Sequence, residues 1–379
     1  TEGFTPEMVR FALDRMDACY PKFDIPPLHT PEERRDAIFW AMKHLNPTAS
    51  PGIPLSHYAN NNAELLKDYA NVTASLSRGL LDAMLDEDLT QLSLEELAKR
   101  GLLPITRVFV KQEPHKIEKI KTKRFRIISS VSVHFQIVER VVFGDTAKSF
   151  VDDWADIPSK PGIGFSDEKI KQMRRAITEF FRVFGGLDEN DISGWDFCIQ
   201  LWLMSHTETS WKRKSPDWIH RCIHNYFYLV ARMLFCLSDG EVIQLPMFGV
   251  VKSGLYMTGF MNSYMRVFSS NALAQPSYIE GTPLPYAVAM GDDCLESPCD
   301  RDYDKYGFRI TDFKRVSDFP VNFCSHEYTS DDKAALTSWP RCLFRLLEKE
   351  FEPEIWSQFR LEMRHSPKLE SIEQFLSEI

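Results

Sequence analysis

No Cys-x-x-Cys pair occurs in this chain of 379 residues, although it holds eight cysteines, at 19, 198, 222, 236, 294, 299, 324 and 342. That absence removes the usual zinc and dithiol motifs. The irregular spacing, with several cysteines inside apolar runs, favours reduced core thiols in a cytoplasmic setting over a disulfide framework. Cys294 and Cys299 with His326 form only a weak ligand set. Long hydrophobic runs are missing too: the longest, "YFYLVARMLFCL" at 226–237, is too short for a bilayer and carries Arg232, so it reads as a buried segment. No positively charged leader with an apolar core opens the sequence, so no signal peptide is expected, and Thr1 in place of a methionine suggests a trimmed segment or one released from a polyprotein. Internal repeats and low-complexity tracts are absent, which excludes solenoid and linker architectures. Positive charge is in deficit: 45 Lys and Arg against 54 Asp and Glu give a net charge of −9, which argues mildly against a nucleic-acid partner.

What is present modifies that last reading. From Arg107 to Arg126, "RVFVKQEPHKIEKIKTKRFR" gathers eight Lys or Arg against two Glu, so the positive charge is concentrated in one segment. An apolar content of 44% supports a large core distributed over two or three lobes. "TPEMVRFALDRM" and "TPEERRDAIFWAMKHL" carry the start signals of helices, with Thr at the cap, Pro next and Glu in the first turn, and Ser93 with Glu96 makes a capping box. Residues 46–61, "NPTASPGIPLSHYANN", read as a loop. "ITRVFV" and "FRIISSVSV" read as strands flanking the basic segment, and "SDEKIKQMRRAITEFFRVF" reads as an amphipathic helix. Pro340, Pro353 and Pro367 punctuate a C-terminal region of short helices.

The chemistry is concentrated in two places. "AVAMGDDCLES", residues 287–297, sets Asp292 and Asp293 side by side with no basic neighbour, in a strand–turn–strand pattern where Gly291 admits the turn. Adjacent like charges repel by about 4 kcal/mol at 4 Å if the effective dielectric is near 20, so something positive must compensate. "DISGWD" supplies Asp191 and Asp196. If Asp191 ends a strand beside the hairpin, three carboxylates form an acidic cluster suited to hard divalent cations, Mg²⁺ or Mn²⁺ rather than zinc. Two such ions about 3.5–4 Å apart suit phosphoryl transfer. Alone, Gly-Asp-Asp is equally an ordinary solvated turn. "SGLYMTGFMNS" adds Ser253 and Gly254 in a loop, then Thr258 and Asn262 four apart on one helix face.

In this order, these segments resemble the motifs of viral RNA-dependent RNA polymerases. "DISGWD", "SGLYMTGFMNS" and "AMGDDCLES" look like the first three palm motifs, and "YGFRITDFK" and "FCSHEY" like the fourth and fifth. "KQEPHKIEKIKTKRFRII" looks like the fingers motif lining the nucleotide tunnel, and "SPGIP" like the loop that meets the template. The resemblance spans roughly residues 46–330 and is closest to positive-strand viruses of the sobemovirus and polerovirus type. It implies an α+β right-hand polymerase with an antiparallel palm sheet backed by helices. Fingers would occupy 1–185, with the template loop near 46–61 and the basic segment at 107–128. The palm would occupy 186–327 with a fingers insertion near 204–245, and a small thumb 328–379.

The implied activity is template-directed RNA synthesis from nucleoside triphosphates, replicating a viral genome. Asp191, Asp292 and Asp293 would hold Mg²⁺, with Mn²⁺ the alternative, and Lys314 would act as general acid. Lys111, Arg124, Arg126, Asp196, Ser253, Thr258 and Asn262 would contact the nucleotide, and Ser50, Gly52 and Gly254 the RNA. Expected partners are template and product RNA, nucleoside triphosphates, and a viral protein primer or other replication proteins, with no transmembrane segment. The expected site is the host cytoplasm, at membrane-associated complexes reached through partners. Two residues depart from the family pattern. The strand before Asp191 is the polar "GLDEN", so Asp188 competes with Asp191, and the motif lysine could fall on Lys314 or, with a one-residue shift, on Arg315. The spacing to Gly194 and Asp196 favours Asp191, and the tunable acidity of lysine favours Lys314. A reverse transcriptase, a silent RNA-binding scaffold and a phosphohydrolase are the competing readings.

Overall fold

The computed structural model describes residues 3–115, 117–348 and 352–377. Its first helices end where the sequence signals say. α1 (Pro6–Cys19) and α2 (Pro31–Lys43) start on Thr5 and Thr30, and Thr30 closes a reciprocal box with Glu33. α3 (Asn62–Asp86) is capped by Asn61, and α4 (Leu94–Lys99) carries the Ser93–Glu96 box. β1 (Ile105–Val110), a short exposed helix α5 (Ile117–Lys121) and β2 (Ile127–Ser130) make up the basic segment, followed by α6 (Val133–Asp152) and α7 (Asp167–Phe184). The basic run is therefore not a plain strand face, and the strand expected over "FRIISSVSV" stops at Ser130, because Ser132 already stands at the start of α6.

β3 (Leu187–Ile192), α8 (Trp195–Cys198), α9 (Leu201–Lys214), α10 (His220–Arg232), β4 (Leu234–Cys236) and β5 (Val242–Ile243) lead to α11 (Thr258–Ala274). Then come β6 (Ala287–Met290), β7 (Asp293–Glu296), β8 (Ile310–Val316), β9 (Val321–Phe323), β10 (His326–Tyr328) and β11 (Ala334–Leu336), and the helices α12 (Trp339–Leu347), α13 (Pro353–Met363) and α14 (Leu369–Ser377). Among the described residues no helix is long and apolar enough to cross a membrane.

The central sheet has the order β6-β7-β3-β8, antiparallel throughout, and is covered on both faces. On one face α7 lays down Ile170, Met173, Ile177 and Phe180, a stripe at helical spacing, against Leu187, Val288 and Leu295. On the other, α11 packs Met261, Met265 and Phe268 near Ala287, Ala289, Cys294 and Ile192. From Phe260 to Ala274 every residue of α11 is buried, so the helix threads the core. A second sheet, β2-β1-β4-β5, sets β4 parallel beside β1, so the segment after α10 returns to the N-terminal lobe. β9, β10 and β11 form a small third sheet. That sheet runs through Leu336, so the thumb expected from residue 328 has its first residues in strands, and its own core of Leu336, Phe359, Met363 and Ile372 starts at the sheet's last residue.

The polar strand β3 is buried: Asp188, Glu189 and Asn190 are 0%, 7% and 4% exposed. Each is partnered. Arg315 forks onto Asp188 (2.6 and 2.9 Å), Glu189 accepts the Asn322 N–H (3.0 Å), and the Asn190 amide donates to Glu296 (2.6 Å). A buried polar group costs little when it is hydrogen-bonded, which is how a strand reading "LDEN" can lie at the centre of a sheet.

Candidate active site

Asp191 sits near the end of β3, where the register with β8 shifts between Glu189 and Asp191 and sets Asp191 opposite Thr311. The β6–β7 hairpin delivers the other carboxylates. Gly291 turns with φ +66°, and its N–H donates to Ser263 Oγ of α11 (2.8 Å). Asp292 is in the turn, whereas Asp293, expected at the tip, is the first residue of β7, paired with Met290. The carboxyls of Asp191 and Asp292 are within hydrogen-bonding reach of each other. Burial first, and then repulsion from Asp292 and Asp293, pushes Asp191 up to about 7. Burial likewise raises Asp293 to about 6, although its Oδ2 accepts the Cys324 N–H at 2.8 Å. Cys324 and Ser325 both adopt positive φ (52° and 57°), the conformation of a tight β9–β10 turn, and this aims the Cys324 N–H at Asp293.

No group of three His, Cys, Asp or Glu side chains is already assembled as a metal cage among the described residues. Magnesium does not need one, since it is commonly held by one or two carboxylates plus substrate phosphates. Asp191 and Asp292 fit that donor set, and Asp293, engaged by Cys324, is the weaker candidate.

Beside the carboxylates lies a polar pair. Gly194 turns left-handed (φ +65°) ahead of the short α8, and Asp196 Oδ1 accepts the Asn262 amide at 2.5 Å. Asp196 is raised by burial, which outweighs the Asn262 bond, and it feels both Asp292 and Arg126. The Oδ1 of Asn262 is buried with no partner among the described residues, while Trp195 Nε1 donates to the Asn262 carbonyl (3.3 Å).

The loop before α11 is tied from several sides. Ser253 Oγ accepts the Ser129 N–H (3.0 Å), Gln136 donates to the Gly254 carbonyl (3.1 Å), and Thr258 Oγ1 donates to the carbonyls of Lys252 (2.7 Å) and Leu255 (2.9 Å). The Thr258 hydroxyl is thus committed to shaping the loop. A side chain on Gly254 would meet Ser129 O at 2.0 Å, and one on Gly52 (φ +68°) would meet Val131 O at 2.7 Å. The two glycines expected to touch RNA therefore press on the same segment, residues 129–132, and Gly52 is buried, so close backbone packing accounts for its glycine. Ser50 stays exposed, its Oγ accepting the Gly52 N–H at 3.4 Å.

Sequence reasoning missed Glu139 of α6. Buried, it accepts the Tyr226 hydroxyl (2.7 Å) and the N–H groups of Tyr256 (2.8 Å) and Met257 (3.4 Å), anchoring the loop. Burial lifts its carboxyl to about 7, outweighing those bonds and the pull of Arg140. A carboxyl whose folded value exceeds its unfolded one gives stability below the unfolded value and loses it as pH rises through about 7. Relative to Glu139→Gln, the wild type will therefore lose about 2–3 kcal/mol between pH 5 and pH 8, measured by paired denaturation of the two proteins. A difference that is flat with pH would show that the group is ionised throughout.

Of the basic residues, Arg124 and Arg126 are exposed, and Lys111 pairs with Glu113 (3.2 Å), which also receives Arg345 of α12 at 2.7 Å. Arg126 acts on both Asp196 and Glu113. On β8, Lys314 lies opposite Glu189 and Arg315 opposite Asp188. Lys314 is exposed and makes no ion pair among the described residues, while Arg315 is occupied by Asp188. Arg266 was also missed, although it follows Asn262 by four residues on the same helix and is the one cation of α11.

Known proteins resemble the chain along most of its length. The family described as viral RNA-directed RNA-polymerase matches residues 34–180 and 193–339. The replicase polyprotein P2AB of Southern cowpea mosaic virus is 34% identical over 350 residues, 88% of this chain and 35% of that protein. Protein P1-P2 of Turnip yellows virus (isolate FL-1) is 33% identical over 299 residues, 73% of this chain and 27% of that one. The RNA-directed RNA polymerase of Mushroom bacilliform virus is 27% identical over 333 residues, covering 84% of this chain and 79% of that protein. The chain spans between about a quarter and about a third of the length of the first two relatives. Among solved structures, the Sicinivirus 3Dpol RNA dependent RNA polymerase superposes with a TM-score of 0.62 at 14% identity, over 86% of this chain and 68% of that one, which shows the right-hand polymerase fold. With the family matched over more than half its length and relatives of the sobemovirus and polerovirus type above 30% identity, the chain belongs to the viral RNA-directed RNA polymerases.

Proposed function

We propose that the chain performs template-directed RNA synthesis from nucleoside triphosphates by two-metal nucleotidyl transfer, replicating a viral RNA genome. The observation that carries this reading is the meeting of Asp191, on β3, and Asp292, in the β6–β7 turn, beside the Asp196–Asn262 pair, whose Asn262 Oδ1 has no partner among the described residues. Mg²⁺, with Mn²⁺ the alternative, held by Asp191 and Asp292 with Asp293 assisting, would supply activation of the primer 3′ oxygen and stabilisation of the leaving pyrophosphate. Lys111, Arg124 and Arg126 neutralise the triphosphate from the fingers side, and Lys314 delivers a proton to the leaving group. Ser253 and Gly254, on the loop anchored by Glu139 and Gln136, support the template and the ribose. On this reading the fingers, palm and thumb follow the ranges expected from sequence, with the last boundary moved toward Leu336. RNA, nucleotides and replication proteins are the partners, in the host cytoplasm.

Asp196 and Asn262 read the ribose 2′-hydroxyl. Among the described residues the buried Oδ1 of Asn262 lacks a donor, and an incoming hydroxyl supplies one. A deoxynucleotide leaves it unpaired, at about 1–3 kcal/mol. The ratio of kcat/KM for ribo- over deoxynucleotide should accordingly fall by about 5- to 150-fold in Asn262→Ala, and also in Asp196→Ala. A ratio that stays fixed while total activity drops would assign both residues to scaffolding.

A further inference from the structure

We infer that Arg266 is a positioning residue: its guanidinium ties the strand that bears Asp191 to the hairpin that bears Asp292, and so sets the separation at which the two carboxylates take divalent cations. The inference rests on the two-metal reading above and goes beyond it, because that reading gives Arg266 no role.

Arg266 is fully buried in the middle of α11. Its three nitrogens reach three different elements. Nη2 donates to Asn190 Oδ1, on the residue immediately before Asp191. Nε donates to the main-chain carbonyl of Asp292 at 3.3 Å, and Nη1 donates to the Tyr303 hydroxyl at 2.6 Å. Behind it stands Glu296 of β7, which accepts Asn190 Nδ2 (2.6 Å), Ser270 Oγ (2.5 Å) and the Tyr303 hydroxyl (2.8 Å), with Arg301 Nε at 3.5 Å and Arg266 Nη1 at 3.9 Å. Of these side chains only Arg266 holds β3 and the turn of the hairpin at once. Two guanidiniums against one carboxylate also leave an excess positive charge under the acidic cluster, and Arg266 counters the rise of Asp293. Part of the compensation missing from the sequence around the hairpin is thus permanent and comes from α11.

The planar fork explains why the residue is arginine. Three fixed donor directions meet three acceptors, whereas a lysine has a single head and can hold only part of the set. Residues that orient metal ligands are typically worth 10–100-fold in metal affinity, and misplacing reacting groups by about 1 Å can cost about 100-fold in rate.

The test compares Arg266→Lys, which keeps the charge but loses the fork, with Ser270→Ala, which strips a hydrogen bond from Glu296 without touching Arg266. In the full chain, melting temperature, Mn²⁺ binding followed by electron paramagnetic resonance, and single-nucleotide kcat and KM are measured. Arg266→Lys is expected to fold, to bind Mn²⁺ about tenfold more weakly and to lose about 100-fold in kcat with little change in nucleotide KM. Ser270→Ala should lose melting temperature with Mn²⁺ affinity and kcat nearly intact. Wild-type Mn²⁺ affinity and kcat in Arg266→Lys, or losses that track melting temperature equally in both variants, would overturn the inference. If Arg266→Lys does not fold, Asn190→Ser opens the same link from β3 and carries the same expectation, and normal Mn²⁺ binding and kcat there would overturn it. Asp191→Asn is run alongside: unchanged Mn²⁺ binding in that variant would bring down the two-metal reading itself, separately from the role of Arg266.

Discussion

Alanine at Asp191 or at Asp292 will lower nucleotide incorporation by about three orders of magnitude or more, about 4 kcal/mol in barrier, while the chain stays folded. Each substitution removes half of the carboxyl pair that meets within hydrogen-bonding reach at the hairpin turn. Folding should survive because these carboxyls oppose one another: burial and mutual repulsion raise Asp191 to about 7, so the metal-free protein carries a strained pair near neutral pH. Removing one member relieves that repulsion, and the melting temperature without metal should equal or exceed that of the wild type. Asp293→Ala should be milder in chemistry and costlier in structure, since its Oδ2 holds the Cys324 N–H and the β9–β10 turn with it. Single-turnover extension of a primed RNA in Mg²⁺ decides the matter. Incorporation by Asp191→Ala or Asp292→Ala within tenfold of wild type, about 1.4 kcal/mol, would remove both from the reaction.

What could be read in advance was local or carried by motif order. The Thr30 and Ser93 caps, the hairpin around Gly291 and the i, i+4 placement of Thr258 and Asn262 on one helix each depend on residues a few positions apart, and each is present in the fold. The choice of Asp191 over Asp188 rested on spacing alone. In the fold Asp188 is paired with Arg315, while Asp191 faces Asp292. Contacts between distant segments were not legible. Glu139 reaches Tyr256 across 117 positions and Arg266 reaches Asp292 across 26, and nothing in either residue's neighbourhood marks it as more than a helix charge. The apparent lack of a cation near Asp292 and Asp293 had the same origin: in sequence the hairpin is acidic, and in space a buried guanidinium lies under it. Gly52 shows the converse, a loop glycine read as an RNA contact whose backbone is packed on Val131.

Lys314→Leu will slow single-turnover incorporation by about 10²–10⁴-fold and remove the basic limb of its pH profile, the effect expected when a general acid is lost. The strand register carries the argument. Neighbouring residues on β8 point to opposite faces, and Arg315 uses its face to fork onto the buried Asp188 at 2.6 and 2.9 Å, with a further bond to the Cys299 carbonyl at 3.2 Å. Its guanidinium is occupied and, as arginine, hardly gives up a proton. Lys314 takes the other face, exposed and opposite Glu189, which precedes Asp191 by two residues, about 7 Å along the strand and within the span of a lysine side chain. A lysine there can lean toward the phosphate end of a nucleotide bound with its sugar at Asp196 and Asn262, as proposed above. Arg315→Leu should behave differently: the shape of the pH profile stays as in wild type, and stability falls by about 1–3 kcal/mol because the buried Asp188 loses its half-exposed partner. Lys314→His should recover part of the rate with the basic limb moved to lower pH, since imidazole is the weaker base. An unaltered profile in Lys314→Leu together with a lost limb in Arg315→Leu would transfer the proton to the neighbouring residue and require the Asp188 pair to open during turnover.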